Sequence, residues 1–114
     1  MTHIETVSDY LAGLVRVLEN LDREQIANFI ALVERARDEK RQIFIFGNGG
    51  SGANASHITG DLVKGASYKR EKRIKMMCLN DNDAAVLAYA NDVSYDDVFV
   101  EQLKNFLNPG DVVI

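Results

Sequence analysis

One cysteine, one proline and no tryptophan occur in the 114 residues. A single thiol rules out an internal disulfide, and Cys78 lies in the apolar run Met76–Leu79, so it reads as a buried small hydrophobe rather than a nucleophile. A lone cysteine also fits a reducing compartment. No stretch approaches the roughly 18 consecutive apolar residues of a membrane-spanning helix. Positive charge is scarce: 13 Lys and Arg stand against 17 Asp and Glu, a formal net charge of −4. Without a basic footprint, direct binding to nucleic acid or to an anionic membrane is not expected. An anionic ligand would have to be held by local features such as backbone amides. The opening Met1-Thr-His-Ile-Glu5 has no basic region leading into an apolar core, so no secretion signal is expected and a cytoplasmic location is. Internal repeats and low-complexity linkers are absent too.

What is present falls into two periods. Ile4, Val7, Leu11, Leu14, Val15, Leu18 and Leu21 recur at helical spacing. Asp22, with Gln25 three residues on, reads as the cap of a second helix whose apolar stripe is Ile26, Phe29, Ile30 and Val33. The charged run Glu34–Arg41 is a solvated face closing that helix. Residues 1–40 are therefore expected to form a helical hairpin for packing or oligomerisation, since two such stripes have little to bury against alone.

At Gln42 the period changes. Gln42-Ile-Phe-Ile-Phe46 is a short continuous apolar run, the pattern of a parallel strand covered on both faces. A helix rich in small residues is expected over 52–63, a basic surface loop over 64–72 and a second strand over 73–79. Asn80-Asp-Asn-Asp83 offers a cap for a short helix over 84–90, broken by Asn91-Asp92. A longer helix is expected over 95–107, then a turn at Asn108-Pro-Gly110 and a third strand over 111–114. Alternating strands and helices predict an α/β fold, with the hairpin followed by a partial parallel, Rossmann-like three-layer αβα sheet in residues 41–114. A domain that stops on a central strand is expected to be the first part of a longer one.

The chemistry concentrates in Gly47-Asn-Gly-Gly-Ser51, at the carboxyl end of the first strand. Glycines let the backbone turn its N–H groups toward one point, and the next helix adds its unpaired first-turn donors and the positive end of its dipole. This is an anion cradle that needs no lysine. It is neither a dinucleotide fingerprint nor a P-loop, because the spacing and the Lys-Ser/Thr are missing. The alternative is a plain tight turn; a position between a buried strand and a helix favours the cradle. His57 and Asp61 share a helical face at i and i+4, as a metal or acid/base pair or as a surface hydrogen-bonded pair. Asn91 and Asp92 read either as a helix-ending turn or as a polar pair for sugar hydroxyls.

Together with Leu79-Asn-Asp81, Ala90-Asn-Asp92, Asp97-Val-Phe99 and Pro109-Gly-Asp-Val-Val113, these motifs resemble the SIS (sugar isomerase) domain phosphoheptose isomerases. The resemblance runs from the first helices to the last residue and covers a little over half of a typical member. It implies a homotetramer with active sites shared between subunits, acting on sedoheptulose 7-phosphate to give D-glycero-manno-heptose 7-phosphate. It implies substrate contacts from Asn48, Gly49, Gly50, Ser51, Asn91 and Asp92. It also implies a Zn2+ site using His57 and Asp61, with Asp61 as the proton-transferring base and a further substrate contact. Two departures bear on this: Asp61 stands where the family has a glutamate, and Gly65 where many members have an arginine. The family's serine-rich second phosphate loop and late acid/base histidine lie past the matched region. Non-catalytic SIS relatives, namely sugar-phosphate sensors and a tetrameric protein that associates with the replication initiator, keep a similar loop and supply the alternative reading, a binder without turnover. A purely structural oligomerisation fragment would leave the glycine loop unexplained.

Overall fold

Gln42, where the hydrophobic period changes, is also where helix gives way to sheet. A computed structural model describes all residues, Met1–Ile114. In order they form α1 (His3–Glu19), α2 (Arg23–Asp38), β1 (Gln42–Ile45), α3 (Gly50–Gly60) continuing into a π-helical turn (Asp61–Gly65), β2 (Lys75–Cys78), α4 (Asp83–Asp92), a 3₁₀ turn (Tyr95–Asp97), α5 (Val100–Phe106) and β3 (Val112–Val113). No helix is long and apolar enough to cross a membrane.

The chain divides into two compact units, Met1–Ala31 and Leu32–Ile114. In the first unit, α1 starts on a capping box that the hydrophobic pattern alone did not reveal. Glu5 N–H donates to Thr2 Oγ1 at 3.2 Å and Thr2 N–H donates to Glu5 Oε2 at 2.6 Å. The Thr2 backbone N–H, and after it the Thr2 side chain, hold the Glu5 carboxyl below the usual range. Asp22 caps α2 as its sequence predicts, accepting from the N–H groups of Glu24 and Gln25 at 3.0 and 3.1 Å. No residue of α1 is buried.

The second unit is built on a three-stranded parallel sheet in the order β2-β1-β3. β1 is central, which is why Ile43, Phe44 and Ile45 are apolar without alternation and all buried. Register aligns Ile43 with Met76 and Ile45 with Cys78, on one face. There they join Ala36 of α2 and Ala55 of α3 in the core, with Val33, Leu62, Ile74 and Val112 packed against it. Each large apolar side chain so buried stabilises by roughly 1.5–3 kcal/mol. Phe44 alternates to the opposite face of the sheet, and Leu79 and Val98 are the other large apolar side chains buried outside that cluster. The buried Gln102 amide of α5 donates to Leu79 O at 3.1 Å and Val98 O at 2.8 Å, tying that helix to the end of β2. The sheet and its flanking helices are those of a partial three-layer α/β fold.

Three local expectations are corrected. Helix α3 begins at Gly50, earlier than expected, and widens into the π turn where Ala66 N–H reaches Asp61 O at 2.9 Å. Asn91 and Asp92 are the last residues of α4 rather than a break after it. The helix expected over 95–107 is two pieces, because Ser94 Oγ accepts from Asp96 N–H at 3.1 Å and starts a separate 3₁₀ turn.

Candidate functional site

β1 delivers the glycine loop to the carboxyl edge of the sheet. Gly49, the N-cap of α3, has φ +52°, a left-handed value that disfavours any side chain. Gly47 is hemmed in, since a Cβ there would lie 2.7 Å from Ser51 Cβ. A Cβ on Gly50 would meet nothing within 4 Å, so the space over that residue is open. The first-turn donors divide into two groups. Ser51 and Gly52 N–H point back to Asn48 O at 3.0 and 3.4 Å, and Ala53 N–H to Gly49 O at 3.0 Å. The N–H groups of Asn48, Gly49 and Gly50 make no hydrogen bond within the chain. The free donors are therefore those of Asn48, Gly49 and Gly50, while the Ser51 amide is taken up by Asn48 O.

Three neighbours fix the loop, none of them singled out as a site residue by the sequence. The Asn80 side chain pairs with both backbone groups of Gly47. Tyr95 Oη donates to Asn48 Oδ1 at 2.6 Å, orienting that amide. The Phe46 ring stacks on Phe99, centroids 4.6 Å apart. Ser56 Oγ adds a bond from α3 to Asp81 Oδ1 at 2.7 Å. Asn80 and Phe99 stand within the motifs Leu79-Asn-Asp81 and Asp97-Val-Phe99, which was the available signal. Tyr95 had none beyond its place at a loop edge.

The other expected site residues make no hydrogen bond or ion pair to the loop. His57 Nε2 and Asp61 Oδ2 are 3.4 Å apart on α3, with side chains 78% and 70% exposed, a surface pair of little stabilising value. At 1.5 Å per residue, the eleven steps from Gly50 to Asp61 rise about 16 Å, so Asp61 does not overhang the glycine loop of its own chain. Asn91 Nδ2 donates to Asp92 Oδ1 at 3.1 Å at the exposed end of α4, three residues before Tyr95.

The expected zinc site is overturned. No group of three or more His, Cys, Asp or Glu side chains is placed to hold a metal ion. Zinc takes three or four protein ligands, and His57 with Asp61 supplies two. Cys78, the one thiol, is buried in the core, and burial pushes its pKa up, so it is no ligand or nucleophile.

A glycine loop and helix start at the carboxyl end of a central parallel strand place the chain among the α/β domains with a loop at the strand end. The SIS domain profile matches residues 8–114, and the chain belongs to that family. A probable phosphoheptose isomerase of Thermoplasma acidophilum is 36% identical over 105 residues, 92% of this chain and 57% of that protein. The phosphoheptose isomerase of Thermodesulfovibrio yellowstonii is 38% identical over 104 residues, 88% of this chain and 51% of that protein. The chain thus spans about half the length of the curated relatives it matches. The structure of a phosphoheptose isomerase from Neisseria gonorrhoeae matches with a TM-score of 0.84 at 26% identity, over 98% of this chain and 59% of that one. One from Francisella tularensis matches with a TM-score of 0.88 at 21% identity, over 99% of this chain and 60% of that one, a likeness of fold.

Proposed function

We propose that this SIS chain seats the phosphate or hydroxyls of a sugar phosphate on its glycine loop and serves an aldose–ketose isomerase acting on sedoheptulose 7-phosphate. The product is D-glycero-manno-heptose 7-phosphate. The observation that carries the reading is the unpaired row of amides at Asn48, Gly49 and Gly50, under open space at the start of α3. Similarity to phosphoheptose isomerases over nine-tenths of the chain supports the substrate class. In such a reaction a base takes the proton from the carbon beside the carbonyl, an enediol forms, and a proton returns to the neighbouring carbon. Asp61 is the base in this proposal. Its distance from the loop along α3 favours a site completed by another subunit, with Asn91 and Asp92 as further contacts to hydroxyls. A homotetramer sharing its sites in this way accounts for the uncovered apolar face of α1.

Gly50→Val tests the seat. The added side chain enters open space, so the fold is retained, while the approach to the amides is closed. Calorimetry with sedoheptulose 7-phosphate on the full-length protein is expected to show binding lost in this variant. Unchanged affinity would remove the loop from the site.

A further inference from the structure

Gly47 is where β1 leaves the sheet, and its backbone there runs out of main-chain partners on the β2 side. The last such rung is Leu79 N–H donating to Ile45 O at 3.0 Å. The Asn80 side chain supplies the next one. Its Nδ2 donates to Gly47 O at 2.7 Å, and its Oδ1 accepts from Gly47 N–H at 3.1 Å. This is the two-way exchange that one strand offers another, made by an amide that carries donor and acceptor side by side. Gly52 closes the arrangement from α3: a Cβ there would lie 2.7 Å from both Asn80 Nδ2 and Gly47 O. Strand end, helix start and amide are therefore interlocked, with Asn80 as the only side chain bonding both groups of Gly47.

We infer that Asn80 is a positioning residue for the anion seat. Its side-chain rung holds Gly47 in line with β1, so that the next three residues leave the sheet with their N–H groups unpaired. It acts through Gly47 and touches no ligand. The inference rests on the reading of the loop as an anion seat, and the experiment separates the two.

Asn80→Asp is isosteric but, when ionised, loses the donor and sets a carboxylate against the Gly47 carbonyl. When protonated, its O–H donates to Gly47 O while its carbonyl oxygen accepts from Gly47 N–H, restoring the rung. The probe is inorganic sulfate, which stays dianionic from pH 4.5 to 8, titrated into the chain while the Gly49 and Gly50 amide resonances are followed by NMR. At pH 8 the variant is expected to bind about tenfold more weakly than the parent, as the lost bond to Gly47 O and a carboxylate set against that part-buried carbonyl imply. The ratio is expected to close toward one as pH falls through the introduced carboxyl's pKa, which the facing carbonyl raises above its ordinary value of about 3.9; Cys78, whose Sγ–H reaches Asn80 Oδ1 at 3.6 Å, keeps its proton because burial raises its pKa. Asn80→Ala is expected to show the deficit at every pH, and it replaces Asn80→Asp in the pH 8 comparison if that variant does not fold there. Parent-like binding by Asn80→Asp at pH 8, or a deficit that persists unchanged in acid with the fold intact by circular dichroism, overturns the inference. If the parent itself does not respond to sulfate, the anion-seat reading fails instead. The Asn80 rung then stands on hydrogen exchange at the Gly47 amide, expected to be at least tenfold faster in Asn80→Ala; unchanged exchange overturns it.

Discussion

Asp61 carries the enzymatic reading and is also the residue whose surroundings least resemble a closed active site. It sits at the first position of the π turn, paired with His57 and mostly exposed. A carboxylate there works as a base only if substrate and a second surface enclose it, and it is one methylene shorter than the glutamate of the resembled family. A misplacement of about 1 Å can cost ~100-fold in rate, so a slow enzyme is the expected form of that reading. Asp61→Asn keeps the shape and removes the base. Turnover of sedoheptulose 7-phosphate by the full-length protein is expected to fall by at least ~100-fold with melting unchanged, the loss of a general base. Surviving turnover would take the role from Asp61. No turnover in the parent, with sugar phosphates still bound, would transfer the protein to the regulatory reading. Cys78 is the opposite case: a residue whose role was legible at once, because a lone cysteine in an apolar strand has nowhere to go but the core.

At the scale of elements, the π turn after α3 is the least anticipated feature. Two residues past it lies Ser67, a nearly fully buried residue whose Oγ donates to Leu62 O at 2.7 Å and accepts from Ile74 N–H at 3.0 Å. One hydroxyl thus pins the widened turn to the segment that enters β2. Ser67→Ala leaves a carbonyl and an N–H without partners, and is expected to destabilise by roughly 1–3 kcal/mol, read by chemical denaturation. A change within a few tenths of a kcal/mol would show that the turn is held by packing alone. A stretch read from its charges as a surface loop, Lys64–Lys72, therefore has a buried anchor inside it. The signal was a single serine among basic residues, and no periodicity marks it.

Across the whole molecule, apolar surface is distributed unevenly. On α1, Ile4 is 79% exposed and Leu14, the most covered of its large aliphatics, still 44%. Patches of that kind are interaction surfaces or association liabilities. In β3, Val113 and the following Ile114 are also left partly exposed, 45% and 37%. The chain on its own is expected to associate and to lack isomerase activity. Size-exclusion chromatography with light scattering is expected to give species larger than one chain. A clean, active monomer would contradict both the shared-site proposal and the need for a partner surface.

Much of the plan could be read from one dimension, for reasons that belong to single elements. The continuous apolar run at Ile43–Ile45 requires burial on both faces, which only the centre of a parallel sheet provides. Asp22 caps α2 because a cap needs nothing beyond three residues of chain. Gly49 was legible as a turn, since its left-handed backbone is a property of the residue itself. Other features depend on partners distant in sequence. Asn80 meets Gly47 across 33 positions and Tyr95 meets Asn48 across 47, so neither bond leaves a local pattern. The zinc expectation failed for the same reason: spacing can put His57 and Asp61 on one helical face, but a third ligand has to come from elsewhere in the fold, and none does. Local backbone chemistry and hydrophobic period were therefore fixed by the sequence alone. Which side chains close around the loop was decided by the sheet, because only packing brings the ends of β1 and β2 and the turn at Tyr95 to one edge.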